Sequence, residues 1–250
     1  MTHTPQTARV TGINLLLGFL SCEGARSDHA VRRLSMAIIC AAAIAAPLGW
    51  TPVSHAETQM IGHFAPGSLA EWETKAFHGE TRYRLISDGD ARVLEARCDA
   101  SASAIARRRK INLSKTPVLR WEWRIDHVYA GLQGTTRKGD DYAARIYVIQ
   151  DGGVRIWRTR AINYVWANSE SRGSHWPNVF TDKAMMVAVR SGQPTDPSTW
   201  VAESRNVRSD FQRFYDRDLD AIDGVALMTD CDNSGRSGRA EYRNIRFTTE

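Results

Sequence analysis

The sequence predicts an all-β fold, a β-sandwich of jelly-roll type with one short helix near residues 208–217. Three observations carry this expectation. Apolar and polar residues alternate with period two through most of the chain, clusters of Gly, Asp, Asn and Pro interrupt the alternation, and one segment has helical spacing. Arg82–Ile86 and Arg92–Cys98 read as strands joined across Asp88-Gly89-Asp90. In Val118–Ile125 (VLRWEWRI), Leu119, Trp121, Trp123 and Ile125 share one face and Arg120, Glu122 and Arg124 the other. Both tryptophans are therefore expected in the core. Tyr142–Gln150 and Val154–Ala161 flank Asp151-Gly152-Gly153 as a hairpin, and Asn163–Ala167 and Met185–Ser191 follow. Val201–Val207 precedes the helix, in which Val207, Phe211, Phe214 and Tyr215 recur at i, i+4, i+7 and i+8 behind a Ser209-Asp210 cap. Val225–Thr229 and Glu241–Thr248 close the chain around a turn at Asn233-Ser234-Gly235.

The N-terminus reads as an export signal. Arg32-Arg33 precedes a 13-residue apolar run, Ala37–Gly49, and Ser54-His55-Ala56 supplies small residues for cleavage before Glu57. The run is shorter than the roughly 20 residues a membrane-spanning helix needs. Residues 1–56 are thus expected to be a signal peptide with an N-terminal extension, and 57–250 a single periplasmic or secreted domain. Contact with membrane is expected only through the transient signal. The route, general secretory or twin-arginine, stays open, as does the translation start.

The formal net charge is +5, and signal removal lowers it because Arg9, Arg26, Arg32 and Arg33 leave with only Glu23 and Asp28. Arg107-Arg108-Arg109-Lys110 fits an exposed strand end better than a nucleic-acid site. Cys98 and Cys231 remain after cleavage, and an oxidising compartment allows a disulfide between them. Sequence alone leaves that pairing open.

Ligand-binding candidates concentrate in Gly139–Asn178, where Trp and Tyr side chains able to stack on a sugar alternate with Asp, Arg, Asn and His. On one continuous strand, Asp141, Arg145 and Tyr147 share a side. Asp141 and Arg145 then either clasp a polar ligand or pair with each other. Trp157, Asn163, Tyr164, Trp166, Trp176 and Asn178 complete the set, with core packing as the competing role for Tyr164 and Trp166. His175, in the polar loop Ser171–Asn178, is the best titratable residue. As a base it needs a partner such as Asp141; otherwise its ring packs on the loop. His175, Asp141 and Tyr164 are the catalytic candidates.

Asp230–Glu241 places Asp230, Asp232, Ser234, Gly235 and Glu241 at calcium-loop spacing, but strands flank it and Ser237 stands where an apolar residue is expected. A hairpin turn is the better reading; the alternative is a calcium site of another kind built from Asp230, Asp232 and Asn233. No other cofactor is expected. Phosphate loops, dinucleotide fingerprints and serine-hydrolase elbows are missing from the sequence, which disfavours the common nucleotide-dependent enzymes and hydrolases.

The chain resembles the bacterial exported family of domain of unknown function 3047 along essentially all of 57–250. The likeness rests on Phe64-Ala65-Pro66-Gly67 with Trp72, Leu119–Arg124, Lys138–Arg145, Asn163–Trp166, Ser174–Asn178 and Met228-Thr229-Asp230 with Asp232-Asn233. It implies a fold and export but no chemistry. A fainter likeness, through the Phe…Gly…Trp opening and Tyr242–Phe247, is to galactose-binding-like and other carbohydrate-binding jelly rolls. The resulting expectation is an exported protein that binds a glycan or cell-envelope polysaccharide. The alternatives are a glycan lyase or hydrolase using His175 or Tyr164 with Asp141 and Arg145, and a structural envelope protein that binds protein partners.

Overall fold

The alternation in the sequence becomes two sheets packed face to face. The computed structural model describes residues 57–249, so the expected signal segment lies outside the described residues. The strands are β1 (Thr58–Gly62), β2 (Glu73–His78), β3 (Arg82–Asp88), β4 (Ala91–Asp99), β5 (Ala102–Asn112), β6 (Val118–Ile125), β7 (Arg145–Gln150) and β8 (Arg160–Ala167). They continue with β9 (His175–Pro177), β10 (Ala184–Ser191), β11 (Val201–Asn206), β12 (Ala221–Asp230) and β13 (Ser237–Thr248). One sheet runs β11-β6-β13-β4-β3, with β1 also on β13; the other runs β2-β5-β12-β7-β8-β10-β9. Pairing is antiparallel except between β8 and β10.

The predicted β-sandwich is therefore what the chain forms. Its core takes Leu119, Trp121, Trp123 and Ile125 from β6, Ile146 and Val148 from β7, and Tyr164 and Trp166 from β8. Trp121 meets Trp123 edge-on at 5.3 Å and stacks on Tyr164 at 5.7 Å across the sheets. Helix α1 (Val207–Tyr215) buries Val207 and Phe211 against this core. Its cap is Asn206, whose side chain accepts from the Ser209 N–H, and not Ser209-Asp210. Asp210 faces inward instead and accepts from the Tyr164 hydroxyl at 2.7 Å.

Three expectations are corrected. Val154–Ala161 is no strand: Gly152 N donates to Thr159 Oγ1, a 3-10 turn spans Ile156–Arg158, and β8 begins only at Arg160. Residues 154–159 have no neighbouring strand to pair with. Residues 142–144 are likewise irregular, and β7 starts at Arg145. The connection at Asn233 is no hairpin turn, because β12 and β13 belong to different sheets. It is a corner of the sandwich, tied by a Cys98–Cys231 disulfide with a Cα–Cα distance of 6.1 Å. Strands β1, β2, β5 and β9 were not predicted.

Candidate functional site

The outer face of the seven-stranded sheet gathers most of the polar residues expected in a site. Strand registers set one row straight across it: Glu73, Ala106, Ala226, Tyr147, Asn163, Met186 and Trp176. The next row holds Lys75, Ala104, Met228, Arg145, Val165 and Ala188. At about 4.8 Å per strand spacing, the first row is about 29 Å long and the second about 24 Å. Alanines form most of the floor, and the partly buried Phe77 and Phe180 pack over it.

Arg145 anchors one end. Its Nε donates to Asp230 Oδ1 at 2.8 Å and its Nη2 to Asp230 Oδ2, a two-pronged pairing that suits a planar guanidinium. Nη2 also donates to the Asp140 carbonyl, and Nη1 lies 3.7 Å from Asp140 Oδ1. The guanidinium sits 4.4 Å from the Tyr142 ring centroid. Burial would lower the pKa of Arg145, but Asp230 and Asp140 outweigh it and hold the group above its usual value.

The carboxylates are less well served. Burial pushes Asp140 up to about 6, against the opposing pull of Arg145 and an Asn178 hydrogen bond. Burial also raises Asp230 well above the usual carboxylate range, with Asp141 and Asp140 adding to the rise against the pull of Arg145. Asp141 accepts from Asn233 N–H and Nδ2 at 3.1 and 2.9 Å and from Ser234 N–H at 2.6 Å, so it caps the β12–β13 corner. One oxygen each of Asp141, Asp230 and Asp232 fall within 4.8 Å of one another. Asp140, Asp230, Asp232 and Asn233 border a cavity of about 30 Å³ together with Arg145 and the two phenylalanines.

Four buried polar atoms on this side lack a hydrogen-bond partner: Asp140 Oδ1, Asn163 Oδ1, Trp176 Nε1 and Asn233 Oδ1. Buried polar groups are almost always satisfied, so each such atom marks a place where a ligand, water or ion belongs.

Of the candidates from sequence, Arg145, Asn163, Trp176 and Asn178 come together on this face. Asp141 lies at its end. Tyr164 and Trp166 point the other way into the core, the latter donating from Nε1 to the Gly192 carbonyl at 2.8 Å. His175 is exposed, with its ring 4.9 Å from Phe214, while its neighbour Trp176 is buried on the outer face. Trp157 is 63% exposed on the β7–β8 loop. His175, Asp141 and Tyr164 thus do not share a surface, and Asp141 does not pair with Arg145. The reason is backbone: residues 140–144 are not extended, so four-residue spacing does not put the two on one side. Sequence reasoning missed Met186, which accepts from Asn163 Nδ2 through its sulfur at 3.4 Å, and the roles of Asp140 and Asp230. Alternation from Arg145 does place Tyr147 on its side of the strand; no local signal could have signalled Asp230 as the partner of Arg145.

Fold and site together define a largely antiparallel β-sandwich domain with a polar, alanine-floored outer sheet face. The chain belongs to the family described as protein of unknown function DUF3047, whose sequence profile covers residues 70–246. Among curated proteins none matches the sequence. Among solved structures, the chain is similar to a family 11 carbohydrate-binding module from Clostridium thermocellum in complex with a mixed-linked tetrasaccharide. That likeness has 13% identity, 78% of this chain and 96% of the other covered, and a TM-score of 0.40. A family 30 carbohydrate-binding module of a Clostridium thermocellum cellulosomal cellulase gives 8%, 72%, 92% and 0.44. The Trichoderma harzianum endoglucanase 3 from family GH12 gives 9%, 78%, 98% and 0.38. At these identities the likeness does not extend to ligands.

Proposed function

We propose that the protein is an exported, periplasmic or secreted domain that binds a glycan or cell-envelope polysaccharide on the outer face of its seven-stranded sheet. One observation carries the reading: Asn163 Oδ1, an acceptor, and Trp176 Nε1, a donor, lie unpartnered in the same row. They are two strand spacings apart, about 10 Å. Asn178 and Arg145 flank them. Such a pattern suits a ligand with many hydroxyls, each able to donate and accept. Export is supported by the basic, apolar and small-residue order of the N-terminus, and N-terminal sequencing of the protein from a periplasmic fraction tests it; an uncleaved cytoplasmic chain removes it.

The binding test is a titration of the purified protein with envelope and environmental polysaccharides, followed by tryptophan fluorescence. Asn163→Ala and Trp176→Phe are each expected to weaken binding about tenfold, the equivalent of about 1.4 kcal/mol. Trp157→Ala should leave it unchanged. Failure of every polysaccharide to bind, or equal binding by the two site variants, sinks the proposal.

A second reading, binding of a protein partner, has its own support. Val154, Ile156 and Trp157, 94%, 54% and 63% exposed, are the large apolar side chains left in water among the described residues, and they sit on one loop. Pull-down from an envelope extract with Ile156→Ser/Trp157→Ser as control separates it from the first.

A further inference from the structure

We infer that the corner joining β12 to β13 is a binding site for one hard divalent cation, with calcium the best fit, held by carboxylate oxygens of Asp141, Asp230 and Asp232 and bordered by Asp140 and Asn233. The first supporting observation is geometric. Ligand oxygens of Asp141, Asp230 and Asp232 lie within 4.8 Å of one another. Calcium–oxygen bonds are about 2.4 Å, so a single ion can reach all three.

The second is independent of that clustering. Asp140 is only 3% exposed, and its Oδ1 accepts no hydrogen bond. Asn233 Oδ1 is buried and equally unpartnered. Both residues border the same cavity as Asp230 and Asp232. At about 30 Å³ that cavity exceeds the roughly 10–15 Å³ that one water-sized sphere requires. Two buried oxygens that accept no hydrogen bond, the Asp140 one 3.7 Å from Arg145 Nη1, thus belong to residues bordering a space large enough for an ion.

Charge points the same way. Arg145 is the cation that pairs with Asp140 and Asp230. Among the described residues no cationic side chain pairs with Asp141, which relies on neutral N–H donors. An ionised carboxylate offers about four acceptor positions, and Asp141 and Asp230 each receive three hydrogen bonds, so both keep capacity for a metal. The donor set decides the ion. It is all oxygen, with no His and with Cys231 held in its disulfide, which disfavours zinc. Several carboxylates drawn from two loops match calcium's large, adaptable shell better than magnesium's tight octahedron.

The test of this site needs no glycan. The purified protein is stripped with chelator and followed by thermal melting with calcium or magnesium added. Terbium luminescence sensitised through Tyr142 and Tyr147 is read in parallel. Millimolar calcium is expected to raise the melting temperature by about 5 °C or more, with little response to magnesium. Terbium emission should appear and be displaced by calcium. Asp140→Asn/Asp232→Asn should abolish both responses, whereas Asp218→Asn, in a surface pair with Arg208, should keep them. A wild-type protein with neither response overturns the inference even if the double variant fails to fold. So does a folded double variant that responds like wild type.

Discussion

The outer faces of the two sheets solve the same problem differently. Each buries carboxylates, but on the six-stranded sheet every buried one is matched by arginines. Glu95 on β4 accepts from Arg84, Arg97 and Arg239, and Glu241 on β13 pairs with Arg124 and Arg239. The registers Arg84–Glu95, Glu95–Glu241 and Glu241–Arg124 make this a ladder across four strands. On the seven-stranded sheet Arg145 alone bridges Asp140 and Asp230. The contrast shows in the acids themselves. Burial raises both Glu95 and Asp140, yet hydrogen bonds from the arginines bring Glu95 down to about 2, while Asp140 stays up at about 6. A matched face is structural; a face short of counter-charge is where a ligand belongs.

The largest effect that would break this comparison is at Arg145. Arg145→Met strands Asp140 and Asp230 with no cation and is expected to cost about 3–5 kcal/mol in urea unfolding. A loss below about 1 kcal/mol would mean the acidic end is not short of positive charge. Glu95→Gln leaves Arg84, Arg97 and Arg239, all partly solvated, to water or to Glu241, so about 1–3 kcal/mol is expected. A cost equal to that of Arg145→Met would erase the distinction between the faces.

Acid sharpens it further. Glu95 is held below its ordinary value of 4.5, so its stabilisation is complete above about pH 4.5 and is lost as pH falls toward 2. Wild type should therefore lose stability over that window more steeply than Glu95→Gln, as chemical denaturation across pH would read. Parallel curves would remove the ladder's role. The smallest effect is at the exposed loop, where Trp157→Ser should shift stability by no more than about 0.5 kcal/mol.

How much was legible follows from the same two faces. On β6 the alternation of Trp with Arg and Glu is strong because one side is core and the other charged, and the strand was read to the residue. On β5 the outer side is Ala102, Ala104 and Ala106, so apolar residues lie on both sides and no alternation marks the strand. Residues 154–159 alternate without having a partner strand, and a pattern alone cannot report pairing. In the site, residue types were readable and partnerships were not. Arg145 and Asp230 are 85 positions apart and meet because Met228 pairs with Arg145 across β12 and β7. Asp230, Asp232 and Asn233 were visible as oxygen donors; that Asp140 and Asp141 join them depends on an irregular turn before β7.

The disulfide has a consequence beyond joining two sheets. Cys231 begins the six-residue corner that carries Asp232 and Asn233, and Cys98 fixes it to the opposite sheet, while Asp141 grips the corner's backbone at Asn233 and Ser234. The segment is thus clamped at both its covalent and its hydrogen-bonded side before any ligand arrives. Whatever binds there meets a surface whose ordering entropy was already spent when the chain folded and oxidised.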